Sequence, residues 1–201
     1  MKTIVLTTAI ILATVLGINN STYAASANDG KTYITLTEIS QISKIEVHGN
    51  VQLYLSDGQS DQVKVYNSYY KENALVQDQN GTLCITSYKA EKLVVWVTVN
   101  DLHSLSVYDN AEVKSFGKLS GIELDVNLYN HASAQLNLDA FHADITLNGD
   151  AKANISGNII EGQLKYNEAS FLNTSNLASV SVVRKENDDN VKNSIADFVS
   201  L

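Results

Sequence analysis

From residue 45 onward the chain alternates between apolar and polar positions. Apolar side chains recur every second residue at Ile45 and Val47, at Val51, Leu53 and Leu55, at Val63 and Val65, at Leu83 and Ile85, and at Leu93, Val95, Val97 and Val99. His48-Gly49-Asn50, Ser56-Asp57-Gly58 and Asn80-Gly81 interrupt these runs with turn-forming residues. Period two over many short segments separated by turn signals is the pattern of half-buried strands, and it predicts an all-β protein. Only Val191 to Leu201 has a short amphipathic, helix-like pattern.

Beyond residue 105 the alternation copies itself. Leu105-Ser-Val-Tyr-Asp-Asn-Ala111 aligns with Val126-Asn-Leu-Tyr-Asn-His-Ala132 and with Ile145-Thr-Leu-Asn-Gly-Asp-Ala151. A fourth copy, Leu164-Lys-Tyr-Asn-Glu-Ala169, is one residue shorter in its turn, and the spacing throughout is about 20 residues. A leucine-rich repeat has a similar period, but its return segment does not alternate, whereas Ala132-Ser-Ala-Gln-Leu136 and Ala151-Lys-Ala-Asn-Ile155 do. The expected architecture is therefore a parallel β-helix with coils of about 20 residues. In it, Ala111, Ala132, Ala151 and Ala169 form one inward column, and Tyr108-Asp109-Asn110, Tyr129-Asn130-His131, Asn148-Gly149-Asp150 and Asn167-Glu168 form polar corners.

The amino-terminal segment reads differently. Lys2 precedes an uncharged run from Thr3 to Leu16, and Thr22-Tyr23-Ala24 and Ala25-Ser26-Ala27 each offer small residues at the −3 and −1 places of a cleavage site. This is the layout of a secretory signal peptide, expected to span residues 1–24, and its apolar run is short for a membrane anchor. No integral membrane segment is expected after its cleavage. With no cysteine after the run, a lipid-modified amino terminus is not expected either. The remaining divisions are a β domain over 31–185 and a carboxy-terminal cap or tail over 186–201, where the polar stretch Glu186-Asn-Asp-Asp-Asn190 breaks the alternation. Asn28 to Leu36 is the expected amino-terminal cover.

Charge narrows the partners. The 201 residues carry 22 acidic against 14 basic side chains, for a net charge of −8, and Arg184 is the one arginine. That balance argues against nucleic acid. The single cysteine, Cys84, excludes an internal disulfide and a cysteine-based zinc site, and it reads as a small, partly buried residue. His48, His103, His131 and His142 show no metal-ligand spacing. Asp144, Asp150 and the Asp188-Asp189 pair fall in no calcium-loop pattern, so no metal or cofactor is expected. No nucleophile elbow or phosphate loop is present, and Asp109, Asp150 and Glu168 lie in different corners, so no enzyme is expected.

The stretch Lys44-Ile-Glu-Val-His-Gly-Asn-Val51-Gln-Leu-Tyr-Leu55, followed by Val63-Lys-Val65, Asn80-Gly-Thr-Leu-Cys-Ile85 and the copies after Val97, resembles the head GIN domain of putative autotransporter adhesins. The resemblance covers roughly residues 40 to 183. The family places Gly-Ser-Gly at its corners, and this chain departs from that pattern. The resemblance implies an exported, right-handed β-helix with an adhesin-like role in the periplasm, at the cell surface or secreted, and it brings no functional residues with it. The alternative is a carbohydrate-active β-helix that binds or cleaves polysaccharide with paired acids.

Candidate binding residues come from the register. If Val107 and Leu128 point inward, Tyr108 and Tyr129 point outward on neighbouring strands about 4.8 Å apart. With Asp109 and Asn130 beside them, they form a candidate platform for a glycan or for an envelope or host protein.

Overall fold

The structure, a computed structural model, describes residues 23–28, 31–36, 39, 41–66 and 74–186. Residues 1–22 of the expected signal peptide and 187–201 of the expected cap lie outside them. The strands are β1 (Tyr23–Asn28), β2 (Lys31–Leu36), β3 (Lys44–Gly49), β4 (Val51–Asp57), β5 (Gln62–Val65), β6 (Ala74–Gln79) and β7 (Thr82–Ser87). They continue with β8 (Leu93–Val99), β9 (Ser104–Val107), β10 (Glu112–Ser115), β11 (Leu119–Leu128), β12 (Ser133–Leu147), β13 (Lys152–Tyr166) and β14 (Phe171–Glu186).

All of these strands join one sheet. Its path runs β1-β2-β5-β8-β4-β10-β12-β11-β9-β3-β7-β6, with β13 and β14 continuing from β12. β12 receives β10 along its first residues (Ser133 to Gln135) and β11 along its later ones (Leu138 to Leu147). The sheet therefore curls back on itself at β12 and closes into a half-barrel.

This overturns the expected parallel β-helix. Four ladders are antiparallel: β1 with β2, β2 with β5, β5 with β8, and β6 with β7. A parallel solenoid contains no reversal of strand direction. One reversal is local: Asn80 and Gly81 both take positive φ, at 52° and 80°, which makes a two-residue hairpin loop between β6 and β7. The remaining ladders are parallel, and they pair Val107 with Leu128 and Leu128 with Leu147. The sequence copies thus mark neighbouring strands of a mixed sheet, several of them long, and not the stacked coils of a β-helix.

The core follows from the alternation. Ile45, Val47, Leu53, Leu55, Leu83, Ile85, Leu105, Val107, Leu128, Leu136, Ile145 and Leu147 are fully buried. In β8 the burial alternates at every residue from Leu93 to Val99. Ala111, Ala132 and Ala151 are also buried, but Ala169 is exposed. The register explains the exception. Lys152 pairs with Phe171, so Ser170 stands opposite Ala151, and the fourth turn is full length. That turn is held by Asn167 and Ser170: the Ser170 hydroxyl donates to Asn167 Oδ1 at 2.6 Å, and the Ser170 N–H donates to the same atom at 3.0 Å.

Gly49 and Gly157 are among the glycines that allow close contact between strands. A Cβ on Gly49 would meet the Ser87 carbonyl oxygen at 2.1 Å, and one on Gly157 would meet that of Leu138 at 2.0 Å. Both have positive φ, of 82° and 100°.

Candidate functional site

The corners that follow β3, β9, β11 and β12 lie side by side. Gly49, Asp109, Asn130 and Gly149 occupy equivalent places and take φ of 82°, 62°, 61° and 69°. Glycine, aspartate and asparagine are the residues that tolerate this conformation. The backbone ladder runs one residue past the strands: Tyr108 N–H donates to Val47 O at 2.8 Å, and Tyr129 N–H donates to Val107 O at 2.9 Å. This places the side chain before each corner in register with its neighbour.

The structure brings the tyrosine pair together. The Tyr108 and Tyr129 rings stack at 4.7 Å between centroids and 4° between planes. His48 extends the stack, lying 4.3 Å from Tyr108 at 3°. Three parallel rings thus stand across β3, β9 and β11, with the inner faces covered by one another and the edges toward solvent. His48 was not among the candidate residues, although the signal was present. Ile45-Glu-Val47-His-Gly-Asn-Val51 matches Leu105-Ser-Val107-Tyr-Asp-Asn-Ala111, with histidine at the tyrosine position.

Asp109 ties the corners together. Its Oδ2 accepts from Gly49 N–H at 3.1 Å and from the Tyr88 hydroxyl at 3.2 Å, and its Oδ1 accepts from Asn130 Nδ2 at 3.3 Å. Asp109 therefore links the corner after β3, Tyr88 and Asn130. Tyr88, which follows β7 and is 72% exposed, was also missed, because nothing in its local sequence points to Asp109. An open depression of about 740 Å³ adjoins this group, lined by Gly49, Asn50, Tyr88, Lys89, Asp109 and Asn110.

Protonation at the site favours neutral phenols. Burial, then the neighbouring Tyr129 and Glu46, raise the pKa of Tyr108 above its usual value, while a hydrogen bond from Ser106 works in the opposite direction. Partial desolvation, then the charge of Asp109 and its hydrogen bond, raise that of Tyr88.

The other candidates are dispersed. Three histidines each face an aspartate: His103 with Asp101 at 3.2 Å, His131 with Asp150 at 3.3 Å, and His142 with Asp144 at 3.3 Å. Asp144 Oδ1 also accepts from Gln163 N–H at 2.9 Å. Among the described residues, no three His, Cys, Asp or Glu side chains converge as a metal site, and no helix is long and apolar enough to cross a membrane. Cys84 is half-buried, with its Sγ 3.9 Å from Glu46 Oε2. Burial, then the Glu46 charge and hydrogen bond, raise the pKa of its thiol.

The fold is thus a curled all-β sheet that presents aromatic, amide and carboxylate side chains at its corners. The chain belongs to the family described as putative auto-transporter adhesin, head GIN domain, which matches residues 41–184. Similar solved structures include one described as a putative adhesin from Parabacteroides merdae, 17% identical with a TM-score of 0.59 over 79% of this chain and 78% of that one. Another, described as a putative adhesin from Parabacteroides distasonis, is 14% identical with a TM-score of 0.56 over 83% and 79%. A third, described as a putative lipid binding protein from the same species, is 9% identical with a TM-score of 0.59 over 79% of each chain. At these identities the likeness is one of fold. No curated protein matches the chain. Membership makes this an adhesin-like module, a class of the cell surface or exterior.

Proposed function

We propose that the protein is an exported, non-catalytic adhesin-like module that holds a glycan or an envelope or host protein at the corner formed by Tyr108, Asp109, Tyr129 and Asn130. In this reading residues 1–24 are the signal peptide, 31–185 form the binding domain and 186–201 are its cap or tail. The observation that carries the proposal is the parallel Tyr108–Tyr129 stack beside Asp109, which itself lines an open depression. Phenol edges and hydroxyls, a carboxylate and an amide in one strip match the polar-aromatic chemistry of recognition surfaces. The acids that a polysaccharide-cleaving rival requires are otherwise engaged: Asp109 accepts three hydrogen bonds, and Asp150 faces His131.

The test is a glycan array together with a panel of host extracellular proteins, probed with wild type and with the Tyr108→Ala/Tyr129→Ala double variant. Binding is expected for wild type and lost in the variant, with melting temperatures within a few degrees of each other. A variant that melts early and binds as before would reduce the tyrosines to scaffold. Amino-terminal sequencing of exported protein is expected to begin just after Ala24 or Ala27, and a start at Met1 would contradict the signal assignment.

A further inference from the structure

A second aromatic surface lies away from the corner, on the outward face of β2, β5, β8, β4 and the end of β10. Tyr33 and Tyr66 pack at 5.2 Å, Tyr66 and Trp96 at 6.4 Å, Trp96 and Tyr54 at 4.6 Å in a stacked pair, and Trp96 and Phe116 at 5.9 Å. Registers make the row continuous. Ile34 pairs with Val65, Lys64 with Trp96, and Tyr54 with both Trp96 and Lys114. Five neighbouring strands at about 4.8 Å each give a row roughly 19 Å long. The inward neighbours Leu53, Leu55, Val63, Val65, Val95 and Val97 are fully buried, so the row is a second surface and not part of the core.

We infer that this row is a binding platform for an extended oligosaccharide. The rings are tilted against one another by 24° to 57°, and Phe116 is 68% exposed, so the row is not sealed face to face as the corner stack is. Apolar ring faces flanked by hydrogen-bonding groups suit pyranose rings, whose C–H faces are apolar and whose rims carry hydroxyls. The flanking groups are present. Ser56 and Thr98 hydroxyls meet at 3.1 Å, and Lys64 Nζ lies 5.5 Å from the Tyr33 ring centroid. Gln52, two residues before Tyr54 and on the same face of β4, is only 7% exposed, and its Nε2 has no hydrogen-bond partner among the described residues. An amide donor in that state calls for an acceptor. The mixture of rings, hydroxyls, amide and lysines disfavours an acyl chain, which would require an unbroken apolar face. Lys64 and Lys114 give the row a basic character on an otherwise acidic chain, which suits neutral or acidic sugars.

The platform carries its own reporter, because Trp96 is the single tryptophan. Full-length protein is titrated with hexasaccharides of glucose, of N-acetylglucosamine and of a uronic acid, and Trp96 emission is followed. At least one series is expected to shift the emission saturably. Tyr54→Ala and Phe116→Ala are each expected to weaken that binding roughly tenfold, the scale of one lost aromatic contact. Phe116, being exposed at the end of the row, is the variant that should leave folding intact. Tyr108→Ala/Tyr129→Ala should leave the Trp96 response unchanged, which separates this platform from the corner. The inference is overturned if none of the three sugars perturbs Trp96, or if binding survives both row variants. It is equally overturned if phosphatidylcholine vesicles shift the emission more strongly than any sugar, or if raising the protein concentration alone reproduces the shift, as a second copy of the chain would.

Discussion

Replacing Asp109 separates two contributions that coincide in one residue. Its carboxylate satisfies Gly49 N–H at 3.1 Å, and its backbone sits at φ 62°. Gly49 is buried, so its orphaned donor would cost about 1–3 kcal/mol, whereas Asn130 is exposed and Tyr88 largely so, and both can turn to water at little cost. Asp109→Gly removes the carboxylate but keeps the left-handed backbone at ease, and is expected to cost about 1–3 kcal/mol. Asp109→Ala adds the left-handed penalty of about 1–2 kcal/mol and should be the worst of the series. Asp109→Asn keeps a carbonyl acceptor and a residue suited to the corner, and should cost about 1 kcal/mol or less. Urea unfolding at constant m-value ranks the three. Equal losses for Ala and Gly would remove the backbone contribution. A Gly variant as stable as wild type would refute the view that this carboxylate ties the corners.

Leu128 is fully exposed to the core and not to solvent, at 0% accessibility, so Leu128→Asp should cost several kcal/mol or prevent folding, and an unchanged melt would place this strand one residue out of register. Gly157→Ala should lower the melting temperature clearly, since its Cβ would collide with the Leu138 carbonyl and its φ of 100° disfavours a side chain; an unchanged melt would mean the two strands separate freely. The Tyr108 pKa is raised on folding, so the native state holds the phenolic proton longer than the unfolded chain does. The resulting stability is fully present below the unfolded value of about 10 and is lost as pH rises through the folded value, and Tyr108→Phe should remove that alkaline component. Cys84 should react slowly with alkylating reagents at pH 8, and Glu46→Gln should speed the reaction by relieving the charge that opposes the thiolate; equal rates would deny that Glu46 acts on the thiol.

The inward face of most strands from β3 to β13 was legible in the sequence, because alternation reports burial directly: Ile45, Val47, Leu105, Val107 and Leu128 are all core residues. The corner conformation was legible as well, in Asp109, Asn130 and the Asn80-Gly81 loop. Strand direction was not, since alternation is identical for parallel and antiparallel neighbours, and this is why a solenoid was expected where the sheet reverses. β6 escaped notice because Gln77, Asp78 and Gln79 dilute its apolar half. The fourth corner was misaligned by one residue because Ala169 resembled the alanine column, while Ser170 fills the equivalent place. The Tyr33, Tyr66, Trp96 and Tyr54 row had no local signature at all, because its members meet only through the pairing of strands distant in sequence.

The spacing of the ladders also sets an order of assembly. β11 to β13 pair across 19 residues, as Leu128 does with Leu147 and Asn154 with Gln135, so each closure is short. β3 and β4 instead join β9 and β10 across 60 residues, at Lys44 with Ser104 and at Gln52 with Glu112. Short closures cost less chain entropy than long ones, so the later half of the sheet is the natural place for structure to begin, with the earlier half docking onto it last. A chain emerging amino terminus first could pair β3 with β7 and β4 with β8, but would lack their second ladders, to β9 and β10, until residues beyond 104 became available. With no proline, it has no prolyl isomerisation to slow it, so its pace is set by topology alone.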